Sequence, residues 1–405
     1  MELWEQNPKP LPAHTLENDE TKSSAVMTFS TLDDRAAAAK TLSQTGIRFR
    51  TGKTLVPFRL TGDAFWGVPA PEADGLLNQK FWVWPESLWA PISFTKAWLL
   101  KTTGETRGWE RWWCEGDPQV ADDAEIYQFI GADNIYFYGL AEPAIWMALG
   151  EGGNGWKLKM PTIIANNHIL FLNKKASSSG AVRPPMAREL LEHYTPEQLR
   201  AHFLGLGLGL KSVSFQPKPF NPAASSTDAD PALREGSLLT NVFNRAARSC
   251  FYTVQKHTGG KIPFGAVSPE VLAESEAAIL AYEQFVYRHE YYNVINLLVT
   301  FIRDFNKRWS ANMKQADADD NQELRVQTLI DSFHLLKVTT VLVHPIAPQG
   351  TEMIFDQLNL PDKRAFFTWD NIFNPIYDLM PDPRNHTPHT LEPRVDFFKK
   401  HETQV

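Results

Sequence analysis

The chain has 405 residues, of which 43% are apolar, and a formal net charge of −7. That length is enough for two or three domains with their own cores. The negative charge argues against indiscriminate nucleic-acid binding, although a local basic surface remains compatible with it. No apolar run approaches the roughly 18 residues of a membrane span. The acidic, polar start is unlike a signal peptide, so we expect a cytoplasmic protein without membrane association.

The only cysteines, Cys114 and Cys250, are far apart in the sequence. They can form neither a disulfide framework nor a CxxC zinc motif. The histidines are scattered, without the spacing of a metal site or a hydrolase. We therefore predict two buried thiols, no metal site and no zinc.

The first half of the chain alternates between strand-like and helix-like patterns. Residues 1–24 lack periodicity and are predicted to be disordered, and a strand followed by a helix is plausible at 25–62. Strand patterns at 80–84, 126–131 and 161–172 surround a helix pattern in "DNIYFYGLAEPAIWMALG". Such alternation predicts an α/β domain over residues 25–215.

A linker and a helical region follow. Pro, Ser, Asn and Asp cluster in residues 216–231, as is typical of a linker. A helix is predicted from about Pro231 to 256, where Asp230 could cap it. Apolar residues then recur at three- and four-residue spacing in three segments, 269–287, 289–312 and 322–343. This pattern predicts an antiparallel helical bundle over 232–360 and a mostly irregular tail at 361–405.

Several local motifs occur in a recognisable order. The segments are "RLTGDAFWGVPAP", "FWVWPESLWAPISF", "WERWW", "IYQFIGADNIYFYGL" and "PTIIANNHILFLNKKASSSG". In this order they resemble the second half of a class I methionyl-tRNA synthetase catalytic domain. "LLTNVFNRAARSCFY", "FNKRWSANMK" and "VLVHPIAPQGTEMIFDQLNL" resemble that family's anticodon-binding bundle. The resemblance, over residues 59–373, implies the C-terminal half of a Rossmann-type domain followed by an all-α bundle.

The family's KMSKS loop stabilises the ATP phosphates with two lysines, as cations placed in a closed site do. "KASSS" stands at this position, so Lys175 matches the first lysine and Ser177 and Ser179 match the serines. Ser178 replaces the second lysine, and Lys174 could compensate for it. The resemblance thus implies a degenerate KMSKS loop, while the composition alone equally suits a loop without a ligand.

The family's other ATP motif, HIGH, does not occur in this sequence. About 60 residues precede Arg59, which is too few for the first half of the nucleotide fold. We therefore expect either an incomplete ATP site or a partner protein that completes it, in which case ATP would bind.

The amino-acid pocket is only partly matched. Trp84 matches the family's aromatic wall and Asp133 is matched, whereas Glu86 stands where Asp is expected and Tyr138 replaces a histidine. Trp84 could equally be strand core, and Asp133 a helix cap. The resemblance implies a pocket that is not tuned to methionine.

The anticodon positions match better. The family reads the anticodon with an Asn and an Arg four residues apart and a later Trp, which match Asn241, Arg245 and Trp309. Asn and Arg at this spacing share a helix face and can bond base edges, and an exposed Trp can stack on an unpaired base. Alternatively, Trp309 only continues the apolar helix face. The resemblance implies tRNA as the partner, with a CAU anticodon as the first candidate.

Three functions follow from these patterns. The first is a tRNA-binding protein that is not an autonomous aminoacyl-tRNA ligase. The second is an active subunit of a split or specialised synthetase that activates an amino acid with ATP beside a HIGH-bearing partner. The third is a non-catalytic scaffold or regulatory module, for which Trp309 should be buried.

Overall fold

The computed structural model describes residues 10–18, 25–51, 59–72, 75, 77–115, 124–151, 157–175 and 183–405. It divides the chain into two compact units, residues 1–87 and 88–405. The second unit contains both an α/β region and a helical bundle. The predicted α/β region followed by a helical bundle is confirmed.

The first unit begins with an antiparallel hairpin. Strands β1 (His14–Asn18) and β2 (Ala25–Phe29) pair from His14 opposite Phe29 to Asn18 opposite Ala25. The expectation of disorder before residue 25 is therefore wrong for β1. Its polar sequence has no hydrophobic period, and pairing with β2 supplies its backbone hydrogen bonds. The other elements are helix α1 (Leu32–Ser43) and the short antiparallel pair β3 (Thr61–Gly62) and β4 (Lys80–Phe81).

Helix α2 (Val83–Thr103) begins within the strand predicted at residues 80–84, of which Lys80–Phe81 is a strand. That prediction is wrong beyond Phe81, because the aromatic run continues into a helix. Pro85 is accommodated there because the first helical turn needs no backbone donor at that position. The division between the two units falls within this helix, after Ser87.

The α/β region of the second unit is built from short elements. They are α3 (Glu110–Trp113), β5 (Cys114–Glu115), β6 (Tyr127–Gly131), α4 (Glu142–Glu151), β7 (Lys157–Leu158), β8 (Thr162–Asn166), β9 (Ile169–Phe171), β10 (Lys174–Lys175), α5 (Ala187–Leu190), α6 (Pro196–Gly205) and β11 (Val213–Phe215). A π-helical segment, Phe137–Ala141, leads directly into α4. The predicted strand at 126–131 and the helix after it are thus confirmed.

The strands form small sheets. β6 and β8 make a parallel pair, β5 and β7 an antiparallel pair, and β9 lies between β11, parallel to it, and β10, antiparallel. The single strand predicted at 161–172 is therefore two strands in different sheets. Asn167 causes the break, because its backbone N and side-chain Nδ2 both donate to the Leu208 carbonyl, at 2.8 and 2.9 Å.

The bundle begins with α7 (Leu233–Ser237), a π-helical segment at Leu238–Phe243, and α8 (Asn244–His257). It continues through α9 (Pro269–Tyr287), α10 (Tyr291–Ala318), α11 (Gln322–Val343), α12 (Pro348–Leu358) and α13 (Lys363–Phe366). The helices predicted from the apolar spacing are confirmed. Helix α11 is long and apolar enough to span a membrane, but 89% of its apolar window is buried, as in the core helix of a bundle.

The predicted linker contains ordered turns. Asp230 accepts hydrogen bonds from the backbone N of Lys218 and of Ala232, at 3.3 and 3.0 Å. The Tyr194 hydroxyl donates to the other carboxylate oxygen of Asp230 at 2.5 Å. Asp230 therefore fastens this segment, and its bond from the Ala232 N is the cap-type contact expected of it.

The apolar residues form cores of unequal size. The bundle core contains 42 buried apolar residues, including Cys250. The cluster around Trp146, with Cys114, has seven, and the cluster around Phe171 has six. Both cysteines are buried, as predicted. Among the described residues, most of the apolar burial thus lies in the bundle.

Candidate functional site

The candidate phosphate loop follows a tight hairpin. Lys174 and Lys175 form β10, and Leu172 and Asn173 adopt left-handed backbone angles in the two-residue turn before it. Such a turn matches the twist of an antiparallel hairpin. The side chain of Lys175, and Ser177 and Ser179 entirely, lie outside the described residues. The loop chemistry therefore stays a prediction.

The four predicted pocket residues fall in both units. Trp84 is half-buried and Glu86 exposed, both in the first turns of α2, in the first unit. Asp133 is exposed in a short 3-10 turn, and Tyr138 is half-buried in the π-helical segment of the second unit. π-Helical turns recur at functional sites. The role of Tyr138 in the amino-acid pocket stays a prediction.

Sequence analysis missed a buried carboxyl group beside this segment. Glu142 is fully buried, and Gln128 Nε2 donates to its Oε1 at 3.0 Å. Glu142 Oε2, Gln128 Oε1 and the indole Nε1 of buried Trp146 have no partner among the described residues. Burial raises the pKa of Glu142 to about 7, although the Gln128 bond opposes the shift. A glutamate within an apolar helix pattern was the sequence signal that could have revealed it.

Two of the predicted tRNA-contacting residues lie together on the bundle surface. Asn241, in the second π-helical segment, and Arg245, in the first turn of α8, are both exposed. The four-residue spacing puts them on adjacent turns of one continuous helix, within reach of one another. An amide and a guanidinium offer both donors and acceptors to unpaired base edges.

Trp309 is placed differently from these two residues. It is half-buried in α10 and packs against the bundle core. Its indole Nε1 is buried without an acceptor among the described residues. The flanking Arg308 forms an ion pair with Glu274, whereas Lys307 is exposed. The ring therefore contributes to packing and presents only part of its surface for stacking.

The next basic residue on α8 holds the C-terminal tail. Arg248, three residues after Arg245, donates to Asp396 Oδ1 at 2.7 Å. One turn earlier, fully buried Asn244 donates to the Phe398 carbonyl at 2.8 Å and accepts from the Phe398 N at 3.0 Å. The Phe397-Phe398 pair in a polar tail was the signal in the sequence for this attachment.

In the described part of the chain, no three His, Cys, Asp or Glu side chains are grouped to hold a metal.

Known proteins resemble this chain over much of its length. Residues 31–224 match the family model "tRNA synthetases class I (M)". The methionine-tRNA ligase of Korarchaeum cryptofilum is 26% identical over 341 residues, covering 82% of this chain and 55% of the relative. That of Thermobifida fusca is 24% identical, with 75% and 49% covered. The chain spans about half the length of the curated relatives it matches.

The fold agrees with solved structures of the same kind. Mycobacterium tuberculosis methionyl-tRNA synthetase bound by methionyl-adenylate matches with a TM-score of 0.62 and 19% identity, covering 85% of this chain and 61% of that one. Its free form matches with a TM-score of 0.59. The family model and the relatives thus show that the chain is similar to methionyl-tRNA synthetases, and the solved structures show that it shares their fold.

Proposed function

We propose that this protein binds tRNA through its helical bundle and does not by itself ligate an amino acid to it. The observation that carries the proposal is the exposure of Asn241 and Arg245 on adjacent turns of one helix. The relatives are methionine-tRNA ligases, for which tRNA is a substrate. The interaction is local, since the net charge of the whole chain is −7.

Two sequence features support the lack of autonomous ligation. The chain contains no HIGH tetrapeptide, and Ser178 stands where the KMSKS loop has its second lysine. Positioned cations stabilise the charge that develops on transferring phosphates. A chain with one of these cations replaced, and without the histidines of HIGH, is expected to form adenylate poorly or not at all.

The test is retention of total tRNA by the purified protein at a stated salt concentration, because phosphate contacts are salt-dependent. We expect enrichment of a CAU-anticodon tRNA that is lost in Asn241→Ala and in Arg245→Ala. Trp309→Leu keeps the apolar packing and removes aromatic stacking, whereas Trp309→Ala removes both. Equal binding by the unchanged protein and the first two variants would contradict the assigned contacts of Asn241 and Arg245. Absence of binding by the unchanged protein would contradict the proposal and favour the scaffold.

A second candidate is an active subunit completed by a partner. The observation in its favour is the parallel pair β6 and β8, which has no third strand among the described elements. Parallel sheets are usually larger and covered on both faces, and Tyr127 and Phe129 on β6 are 43% and 52% exposed. The proposed partner is a chain that carries HIGH and adds to this sheet.

Amino-acid-dependent exchange of pyrophosphate into ATP separates the two candidates. We expect no exchange by the protein alone. Exchange that begins only when a HIGH-bearing chain is added would support the second candidate. Exchange by this chain alone would contradict both, because the ATP site would then be complete.

A further inference from the structure

The C-terminal tail lies along the helix that carries Arg245. Gln255 donates to the Leu391 carbonyl at 3.4 Å and the Tyr252 hydroxyl to the Glu392 carbonyl at 3.0 Å. The contacts of Arg248 with Asp396 and of Asn244 with Phe398 then follow. Tail residues of increasing number, from 391 to 398, thus contact helix residues of decreasing number, from 255 to 244. The tail therefore runs antiparallel to α8.

This direction determines where the next tail residues lie. From Gln255 back to Asn244 the helix spans about 16 Å, at about 1.5 Å per residue, and one tail contact falls on nearly every turn. The next turn towards the helix N-terminus contains Asn241. The tail residues that follow Phe398 are Lys399 and Lys400, and both are exposed.

Both ends of this lysine pair are held. The centroids of the Phe398 and Phe243 rings are 5.2 Å apart. The Phe398 ring also lies against Gly350, where an added Cβ would be only 2.3 Å from a ring carbon. Beyond the lysines, Gln404 donates to the His193 carbonyl at 2.8 Å and accepts from Gln198 at 2.9 Å. The lysines are thus part of a strap that is fastened before and after them.

The charges along this strap are arranged for an anion. Asp396, which precedes the lysines, is paired with Arg248, so its charge is already compensated. Glu402 is exposed further along the strap. Arg245 comes directly after Asn244, and Lys399 comes directly after Phe398. Because Asn244 and Phe398 are hydrogen-bonded to each other, each of the two cations is adjacent to one member of a bonded pair.

We propose that Lys399, Lys400 and Arg245 form one phosphate-binding surface at the start of α8. It binds the backbone of the RNA loop whose bases Asn241 and Arg245 contact, so it rests on the proposed function. Lysine acts on phosphate as a point charge and carries no base preference. The strap therefore supplies affinity to the interaction, and the helix supplies selectivity.

The test is binding of unfractionated tRNA by the full chain across a series of salt concentrations, for the unchanged protein and the K399Q/K400Q variant. Loss of two phosphate contacts should weaken binding roughly tenfold and lower the slope of log K against log salt by about 1.4 to 1.8. The preference among tRNA anticodons should stay unchanged. K399R/K400R should bind as the unchanged protein does.

The matched control is K96Q/K101Q, which removes the same charge from two exposed lysines of α2. It should leave both affinity and slope as they were. An equal loss in this control, or a changed anticodon preference in K399Q/K400Q, would overturn the assignment. Unaltered binding by K399Q/K400Q, beside normal binding by the unchanged protein, would overturn this inference alone. Absence of tRNA binding by the unchanged protein would overturn the proposed function as well.

Discussion

The helical bundle and the α/β region use their apolar residues in opposite ways. The bundle buries 42 of them in one core, whereas the α/β region has separate clusters of seven and six. The α/β region also leaves large side chains such as Phe94 and Trp98 exposed, by 70% and 57%. Since buried apolar area is the main source of folding stability, the bundle is the more stable part, and the α/β region has surface available for contacts.

The largest expected effect concerns a buried cation of the bundle. Fully buried Lys337 donates through Nζ to the carbonyls of Asn371, Ile372 and Asn374. Lys337→Met should destabilise the bundle by about 3 to 5 kcal/mol, because three buried carbonyls lose their donor. Urea unfolding followed by circular dichroism measures this. Lys307→Met, on the exposed face of α10, should cost less than about 0.5 kcal/mol, and a similar loss in both variants would refute the prediction.

A gain in folding stability is expected from a substitution in the α/β region. In the folded protein the pKa of Glu142 is about 7 instead of 4.5, because burial opposes its ionisation. Between these values the unfolded chain is ionised and the folded one protonated, so stability is lost as the pH rises from 4.5 through 7. Glu142→Gln should therefore stabilise the protein by about 2 to 3 kcal/mol at pH 8.

The same substitution should have little effect near pH 4.5, where glutamine resembles the protonated carboxyl group. Thermal unfolding at the two pH values measures the difference. Asp133→Asn, which changes an exposed carboxylate nearby in the sequence, serves as the control. A Glu142→Gln effect that does not depend on pH would show that Glu142 is not protonated in the folded state.

The attachment of the tail is expected to contribute less. Asn244→Ala removes both hydrogen bonds to Phe398 and should cost about 2 kcal/mol. It should also expose residues 391–405 to proteolysis. Asn241→Ala is the control, since Asn241 is exposed on the preceding turn, and it should leave the cleavage pattern as it was. Equal protection of the tail in both variants would argue against this attachment by Asn244.

The smallest effect is expected on the exposed face of α2. Phe94→Ser should change stability in urea unfolding by less than about 0.5 kcal/mol, because the side chain is already in water. Phe251→Ser, at a fully buried position of the bundle, should cost at least about 3 kcal/mol. A comparable cost at both positions would remove the contrast between the two regions.

Local patterns determined the helices of the bundle. The apolar spacing of residues such as Val294, Leu298 and Phe305 is a property of neighbouring residues, so the sequence was sufficient to predict α9, α10 and α11. The motif order was also sufficient to predict a methionyl-tRNA-synthetase-like chain and the exposed pair Asn241 and Arg245.

Other features were decided by the tertiary structure. The break at Asn167, the burial of Glu142 and the half-burial of Trp309 all depend on partners distant in the sequence. The pairing of Arg248 with Asp396 shows this most clearly, because 148 residues separate them. Helical spacing places Arg248 beside Arg245, but only the path of the folded tail determines which of the two arginines keeps its charge available to a ligand.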